Sequence, residues 1–186
     1  MQKTVVLASA SPRRQELLAR ICKNFVVESA DIDETPKDNE APETLVVRLA
    51  LEKAKCVFNK HRSAVVIGSD TVIAFNNAVL GKPKDKADFM RMMSLLSDKT
   101  HRVLTAVACV TDSQQKTVLV ETRVTFCEIS EQDAIDYWNT GEPKDKAGGY
   151  AIQGLAEQFV KHIQGSFSSV VGLPLYETKQ LVKSVI

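Results

Sequence analysis

The stretch AVVIGSDTVIAFNNAVL, residues 64–80, decides the fold. Ala64 to Ile67 is a short continuous apolar run, the pattern of a buried strand. Gly68-Ser69-Asp70 follows at once, Thr71 to Phe75 continues as extended chain, and Asn76-Asn77 predicts a tight hairpin turn before Val79-Leu80. Toward the N-terminus, strands and helices alternate. Val5 to Ala8 is another buried strand, and Ser11 reads as an N-cap with Pro12 at the first helical position and Leu17, Leu18 and Ile21 as the apolar stripe. Phe25-Val26-Val27 is a second short strand, Asp31 to Ala41 an acidic loop, and Pro42 opens a long helix to about Asn59. Toward the C-terminus a helix is predicted from about Asp85 to Leu96, with Ala87, Met90, Met93 and Leu96 on one side. Arg102 to Thr111 and Thr117 to Phe126 form an antiparallel pair. Ser130 with Asp133 makes a capping box for a helix that stops at Gly141, Glu142 to Gly149 is a loop, Phe159 to Ile163 a strand and Pro174 to Val185 a closing helix. Alternation followed by hairpins predicts an α/β fold, a mixed twisted sheet with flanking helices, in a single domain over residues 1–186.

Composition narrows the function classes. With 24 Lys+Arg against 23 Asp+Glu the chain carries a formal charge of +1, which removes any global argument for a nucleic-acid or membrane-surface partner. Few aromatics weigh the same way. No apolar run approaches the ~18 residues of a membrane span, and Val5-Val6-Leu7-Ala8 is too short for the core of a signal peptide. Cys22, Cys56, Cys109 and Cys127 are scattered, with no CxxC, and His61, His101 and His162 show no metal-ligand spacing. The expected setting is a reducing cytoplasm, without a zinc site.

The chain lacks GxxxxGK[ST], GxGxxG and GxSxG motifs, so phosphates would have to meet discrete cations and a helix N-terminus. Ser9-Ala10-Ser11-Pro12-Arg13-Arg14 fits that need. Two arginines beside the positive end of a helix dipole suggest that something anionic joins them, unless both point into water. Lys53 falls within the apolar face Val46, Leu49, Ala50, Ala54 and Val57 of the long helix, where an ammonium must pair, reach a polar cleft or snorkel along the stripe. Asp70, placed at the C-terminal end of a buried strand, is a candidate general base or Mg²⁺ ligand, and Glu34 in the acidic loop a second metal-binding carboxylate. Lys82 follows the hairpin and can reach back toward Asp70. The glycines of Lys146 to Gly154 permit a close backbone approach to a ligand, and Gln153 offers the donor and acceptor needed to read a base edge. Gly81-Lys82-Pro83-Lys84-Asp85-Lys86-Ala87 recurs almost unchanged at Gly141-Glu142-Pro143-Lys144-Asp145-Lys146-Ala147, but the flanks differ, so these are two similar loops rather than a duplication.

Taken in order, Ser9-x-Ser11-Pro12-Arg13-Arg14, Ile32-Asp33-Glu34, Glu52-Lys53-Ala54, Gly68-Ser69-Asp70-Thr71, Gly81-Lys82-Pro83, Lys146-Ala147-Gly148-Gly149-Tyr150-x-Ile152-Gln153-Gly154, Gly165-Ser166-Phe167 and Val170-Val171-Gly172-Leu173-Pro174 resemble the Maf family of nucleoside triphosphate pyrophosphatases. The likeness spans nearly the whole chain and is closest to the branch acting on dTTP and UTP. It implies two lobes around a cleft in a fold related to inosine triphosphate pyrophosphatases, often as a homodimer. It also implies a divalent metal, Mg²⁺ or Mn²⁺, and cleavage between the α- and β-phosphates. By the same resemblance Asp70 is the proton acceptor, with Glu34 and Asp70 toward the metal. Arg13, Thr71 and Gln153 fall at positions of base preference, and Ser9, Arg14, Lys53 and Lys82 at positions of phosphate binding. A 7-methyl-GTP pyrophosphatase and a nucleotide-binding regulator of cell division, septum formation included, stay open beside this reading.

Overall fold

The computed structural model describes residues 3–185. At its centre lies β3 (Val65–Phe75), an unbroken strand of 11 residues. Its first part runs parallel to β1 (Val5–Leu7), with Val5 opposite Val65 and Leu7 opposite Ile67, and β1 carries the short edge strand β2 (Val26–Val27) on its other side, also parallel. On its opposite side β3 is antiparallel to β5 (Thr100–Val110), β5 to β6 (Gln115–Phe126) and β6 to β7 (Val160–Gln164). Asn76 and Asn77 both adopt the left-handed backbone that a two-residue hairpin turn needs, and they return the chain as β4 (Ala78–Leu80) along the end of β3. Among the described residues the sheet therefore has seven strands in the order β2-β1-β3-β5-β6-β7, with β4 beside β3. It is mixed, as the sequence pattern predicts.

Asp70 does not end its strand. The partner ends instead: β1 pairs with β3 only as far as Ile67, and β4 reaches back only to Ile73, where Leu80 ends it, so the intervening stretch of β3 has an open edge among the described residues. Gly68 lies inside the strand. A Cβ there would collide with the Ala50 carbonyl and come within 2.7 Å of Ala54 N, both on α2 (Pro42–Phe58). The glycine lets helix backbone lie directly on strand backbone.

One face of the sheet is covered by α2, whose Val46, Leu49, Ala50, Ala54 and Val57 pack on Val6, Val66, Val72, Leu104 and Ala106. Against the other face lie α1 (Pro12–Ala19), α3 (Lys86–Leu96), α4 (Glu131–Asn139) and α6 (Leu175–Lys183), around Leu7, Ile67, Val107, Phe89 and Phe126. The Ser130–Asp133 capping box is formed at the start of α4. Along α3 the buried stripe is Phe89, Met92, Met93 and Leu96, not the one through Ala87 and Met90. Phe89 decides this register by taking the interior against Trp138 and Tyr137 of α4, with ring centroids 5.1 and 6.0 Å away. A short helix α5 (Phe167–Val171), capped by Ser166, has no counterpart in the sequence reading.

Gly68→Ala should lower stability by about 2 kcal/mol, because the clash is with backbone that cannot swing aside. A denaturation midpoint equal to that of the wild type would show that α2 does not need this approach.

Candidate active site

Side chains along β3 alternate between the two faces, so Asp70 points to the α2 side and Thr71 to the α1 side. Both border the open edge left between β1 and β4, and a cleft of about 490 Å³ fills that gap. Its size suits a small-molecule ligand.

On the α2 side, Lys53 Nζ lies 2.7 Å from Asp70 Oδ1 and 2.7 Å from Glu34 Oε1. Lys53 and Asp70 are only 8% and 6% exposed, so this is a nearly dry pair, while Glu34 sits at its solvent end. Burial pushes the Asp70 carboxyl above its ordinary value, against the pull of Lys53 and Arg14, with Glu34 adding a smaller push in the same direction. Oδ1 is engaged by Lys53, and Oδ2 has no hydrogen-bond partner among the described residues. A carboxylate with a raised proton affinity and a free oxygen on a cleft is equipped to accept a proton.

The α1 side is built around Arg14. Its Nε donates to the Gly172 carbonyl at 2.9 Å, Nη2 to Thr71 Oγ1 at 3.2 Å and Nη1 to Ser9 Oγ at 3.5 Å. Thr105 gives its hydroxyl proton to the Ser169 carbonyl at 2.7 Å, so Thr71 must donate to Thr105 at 3.0 Å while accepting from Arg14. Burial lowers the Arg14 pKa, and Asp70 and Glu34 oppose that shift. Ser11 caps the helix through Arg14 N, and Ser9 Oγ accepts from Ser11 N at 3.2 Å, so the small hydroxyls order the turn that presents both arginines.

Arg13, Lys82 and Gln153 line the remaining wall, which brings Ser9, Arg13, Arg14, Glu34, Lys53, Asp70, Thr71, Lys82 and Gln153 to one cavity. Among the described residues neither Arg13 nor Lys82 has a carboxylate partner within salt-bridge distance. The glycines of the 146–154 segment serve packing rather than ligand approach. Gly148 and Gly149 adopt left-handed backbone and are buried, and a Cβ on either would meet Ile73 or Phe89. His101 is structural: its Nε2 meets the Tyr150 hydroxyl at 2.7 Å behind the cleft, and burial lowers its pKa to about 4.

Two positioning residues escaped the sequence reading. Arg48, on the outer side of α2, grips Glu40 through Nε–Oε1 and Nη2–Oε2 contacts of 2.7 Å each, and Nη2 also donates to the Thr35 carbonyl at 3.1 Å. This fork fastens the acidic loop beside Glu34. The only signal in sequence was an Arg and a Glu eight positions apart across a proline, which many surfaces contain.

The family described as Maf-like protein matches residues 4–185. The chain is 48% identical over 182 residues to a protein of Pseudoalteromonas atlantica named dTTP/UTP pyrophosphatase, covering 96% of this chain and 95% of that one. It is 50% identical over 180 residues to a protein of the same name from Saccharophagus degradans, covering 95% and 86%. Among solved structures, a HAM1 protein from Coxiella burnetii shares the fold with a TM-score of 0.53 at 13% identity, over 98% of this chain and all of that one.

Glu40 is held down to about 2 from an ordinary 4.5, chiefly by its hydrogen bonds with Arg48. A depressed carboxyl contributes stability that is complete above pH 4.5 and is lost as the pH falls through about 2. Glu40→Gln should therefore melt below the wild type near neutral pH, and the gap should close across that acid window. A gap independent of pH would contradict the tether.

Proposed function

The chain belongs to the Maf family, and from that membership and the shared cleft we propose that it hydrolyses dTTP and UTP to the monophosphate and pyrophosphate. The observation that carries the reading is the convergence of Asp70, Lys53 and Glu34 with Arg13, Arg14 and Lys82 on one cavity. Its place on the nucleotide follows from charge. Lys82, Lys53 and the α1 terminus with Ser9 and Arg14 receive the triphosphate tail, since cations and free helical N–H groups favour anions. Arg13, Thr71 and Gln153 lie toward the base, with Gln153 supplying donor and acceptor together.

In the reaction Asp70 accepts the proton of a water through its free Oδ2. That water adds to the α-phosphorus, the bond to the bridging oxygen breaks and pyrophosphate leaves with its charge held by the cations. Arg14 is already locked by Ser9, Thr71 and Gly172, so it needs no reorganisation on binding.

The donors suit a hard divalent ion. Among the described residues no group of three or more His, Cys, Asp or Glu side chains converges, which does not fit a dedicated protein cage such as a zinc site. Two carboxylates, Asp70 and Glu34, meeting at one ammonium do fit Mg²⁺ or Mn²⁺, ions usually held by one or two carboxylates plus substrate phosphates and water. Such an ion would supply charge neutralisation on the phosphates. The reading includes a single domain acting in the cytoplasm as a homodimer, in keeping with the family resemblance and the scattered cysteines.

Purified protein with Mg²⁺ or Mn²⁺ should release pyrophosphate from dTTP and UTP ahead of 7-methyl-GTP. Orthophosphate as the sole product would refute the bond assignment. Asp70→Asn should cut turnover by roughly 10²–10⁴-fold, as for the loss of a general base, while circular dichroism stays native. Turnover near the wild-type level would remove Asp70 from the chemistry and favour a binding protein.

A further inference from the structure

Gln153 sits at a corner. Gly154 N donates to the Ala151 carbonyl at 3.0 Å, closing a β-turn with Ile152 and Gln153 at its centre. The two amides that flank this turn are both tied to side chains that do not line the cleft. Ala151 N donates to Tyr137 Oη at 3.3 Å, and Leu155 N donates to Glu142 Oε2 at 3.1 Å. Tyr137 then donates its own proton to Glu142 Oε1 at 2.7 Å, so the two side chains form one continuous clamp across the ends of the turn. Tyr137 comes from the buried side of α4, where Phe89 and Phe159 fix its ring, so the clamp is anchored in the core. Gly154 completes it: a Cβ at that position would overlap the Glu142 carboxylate.

We propose that Tyr137 and Glu142 are positioning residues for base recognition, holding the Ala151–Gly154 turn so that the Gln153 amide meets the base at one place and depth. This rests on the reading above that Gln153 reads the base. The chemistry explains why a held turn is needed. Uracil and thymine present a carbonyl acceptor next to an N–H donor, and cytosine presents the reverse order. A carboxamide carries both functions and satisfies either base when it is free to turn or slide. Discrimination then depends on restricting the amide, because a site rejects the wrong base only when the mismatch leaves a polar group unpaired. The clamp restricts the backbone from which that amide projects.

The test compares wild type, Tyr137→Phe and Gly154→Ala. Tyr137→Phe deletes the hydroxyl that joins both ends. Gly154→Ala keeps the tyrosine and displaces the Glu142 carboxylate, so it reaches the same clamp through a different atom. Each protein is titrated with the α,β-imido analogues of dUTP and dCTP, and turnover of dTTP and dCTP is measured with Mg²⁺. The uracil-over-cytosine preference should fall about tenfold in both variants, the size expected for losing one oriented hydrogen bond. The loss should appear in KM for dTTP more than in kcat, because the base lies away from the bond that breaks. Should Tyr137→Phe fail to fold, Gly154→Ala decides. An unchanged preference in a folded variant, or an equal loss for both bases, overturns the proposal and leaves the clamp a purely structural brace. A wild type that prefers the dUTP analogue but releases no pyrophosphate refutes the hydrolysis, and the binding ratios still decide the clamp. A wild type with no base preference refutes the role of Gln153 and the clamp with it.

Discussion

Lys53 holds an ammonium 2.7 Å from two carboxylates on a helix face otherwise made of valine, leucine and alanine, and the site depends on that arrangement. Taking a lysine and an aspartate out of water costs several kcal/mol per ion, which their attraction offsets only with good geometry. The geometry comes from the backbone. Because Gly68 has no side chain, α2 descends onto β3, and the lysine one turn along reaches the aspartate two residues along. The ion pair, the close helix–strand approach and the open edge of β3 are one construction. Removing the lysine would leave Asp70 with burial raising its proton affinity and its nearest counter-charge gone.

The raised proton affinity of Asp70 and the locked state of Arg14 are complementary outcomes of that construction. Burial disfavours the charged form of both groups, yet each lies within the field of the other. Arg14 spends its donors on Gly172, Ser9 and Thr71, which fixes a positive charge behind the strand. Asp70 thus combines a raised proton affinity with two cations close by. The chain Arg14–Thr71–Thr105–Ser169 carries this order from α1 through two strands to α5.

Much of this was legible in sequence because it depends on local rules. The period of α2 exposed Lys53 as a misfit, Ser11-Pro12 marked a helix start under two arginines, and Asn76-Asn77 announced the hairpin. What stayed hidden depends on partners far along the chain. The open edge beside Asp70 exists because β1 stops opposite Ile67 and β4 ends opposite Ile73, and nothing in residues 64–75 records where a neighbouring strand ends. The roles of Gly68, Gly148 and Gly149 were hidden for the same reason, since a glycine required by a turn and one required by a neighbour look alike. The repeated heptads show the converse limit. Residues 81–87 lead through the Asp85 cap into α3, whereas 141–147 form a 3₁₀ turn, so almost identical letters take different shapes. The residue after the second stretch, Gly148, donates its N–H to the Gly81 carbonyl at 2.9 Å, and the cleft takes Lys82 from the first stretch and Asp145, Lys146 and Ala147 from the second.

The near-zero net charge of the chain conceals how its charges are spent. Five basic and three acidic side chains line the cleft, and each acidic one is paired with a lysine of the same wall: Glu34 and Asp70 with Lys53, Asp145 with Lys146. The carboxylates therefore engage Lys53 and Lys146, and among the described residues Arg13, Arg14 and Lys82 have no carboxylate within salt-bridge distance. Elsewhere the same ions pair into scaffolding, as Arg48 with Glu40 and Arg102 with Glu43. An overall balance of charge is thus compatible with a local excess of cations that a triphosphate would neutralise. A composition argument excludes a charged surface, but it has no power over a cavity whose counter-ions have been assigned one by one.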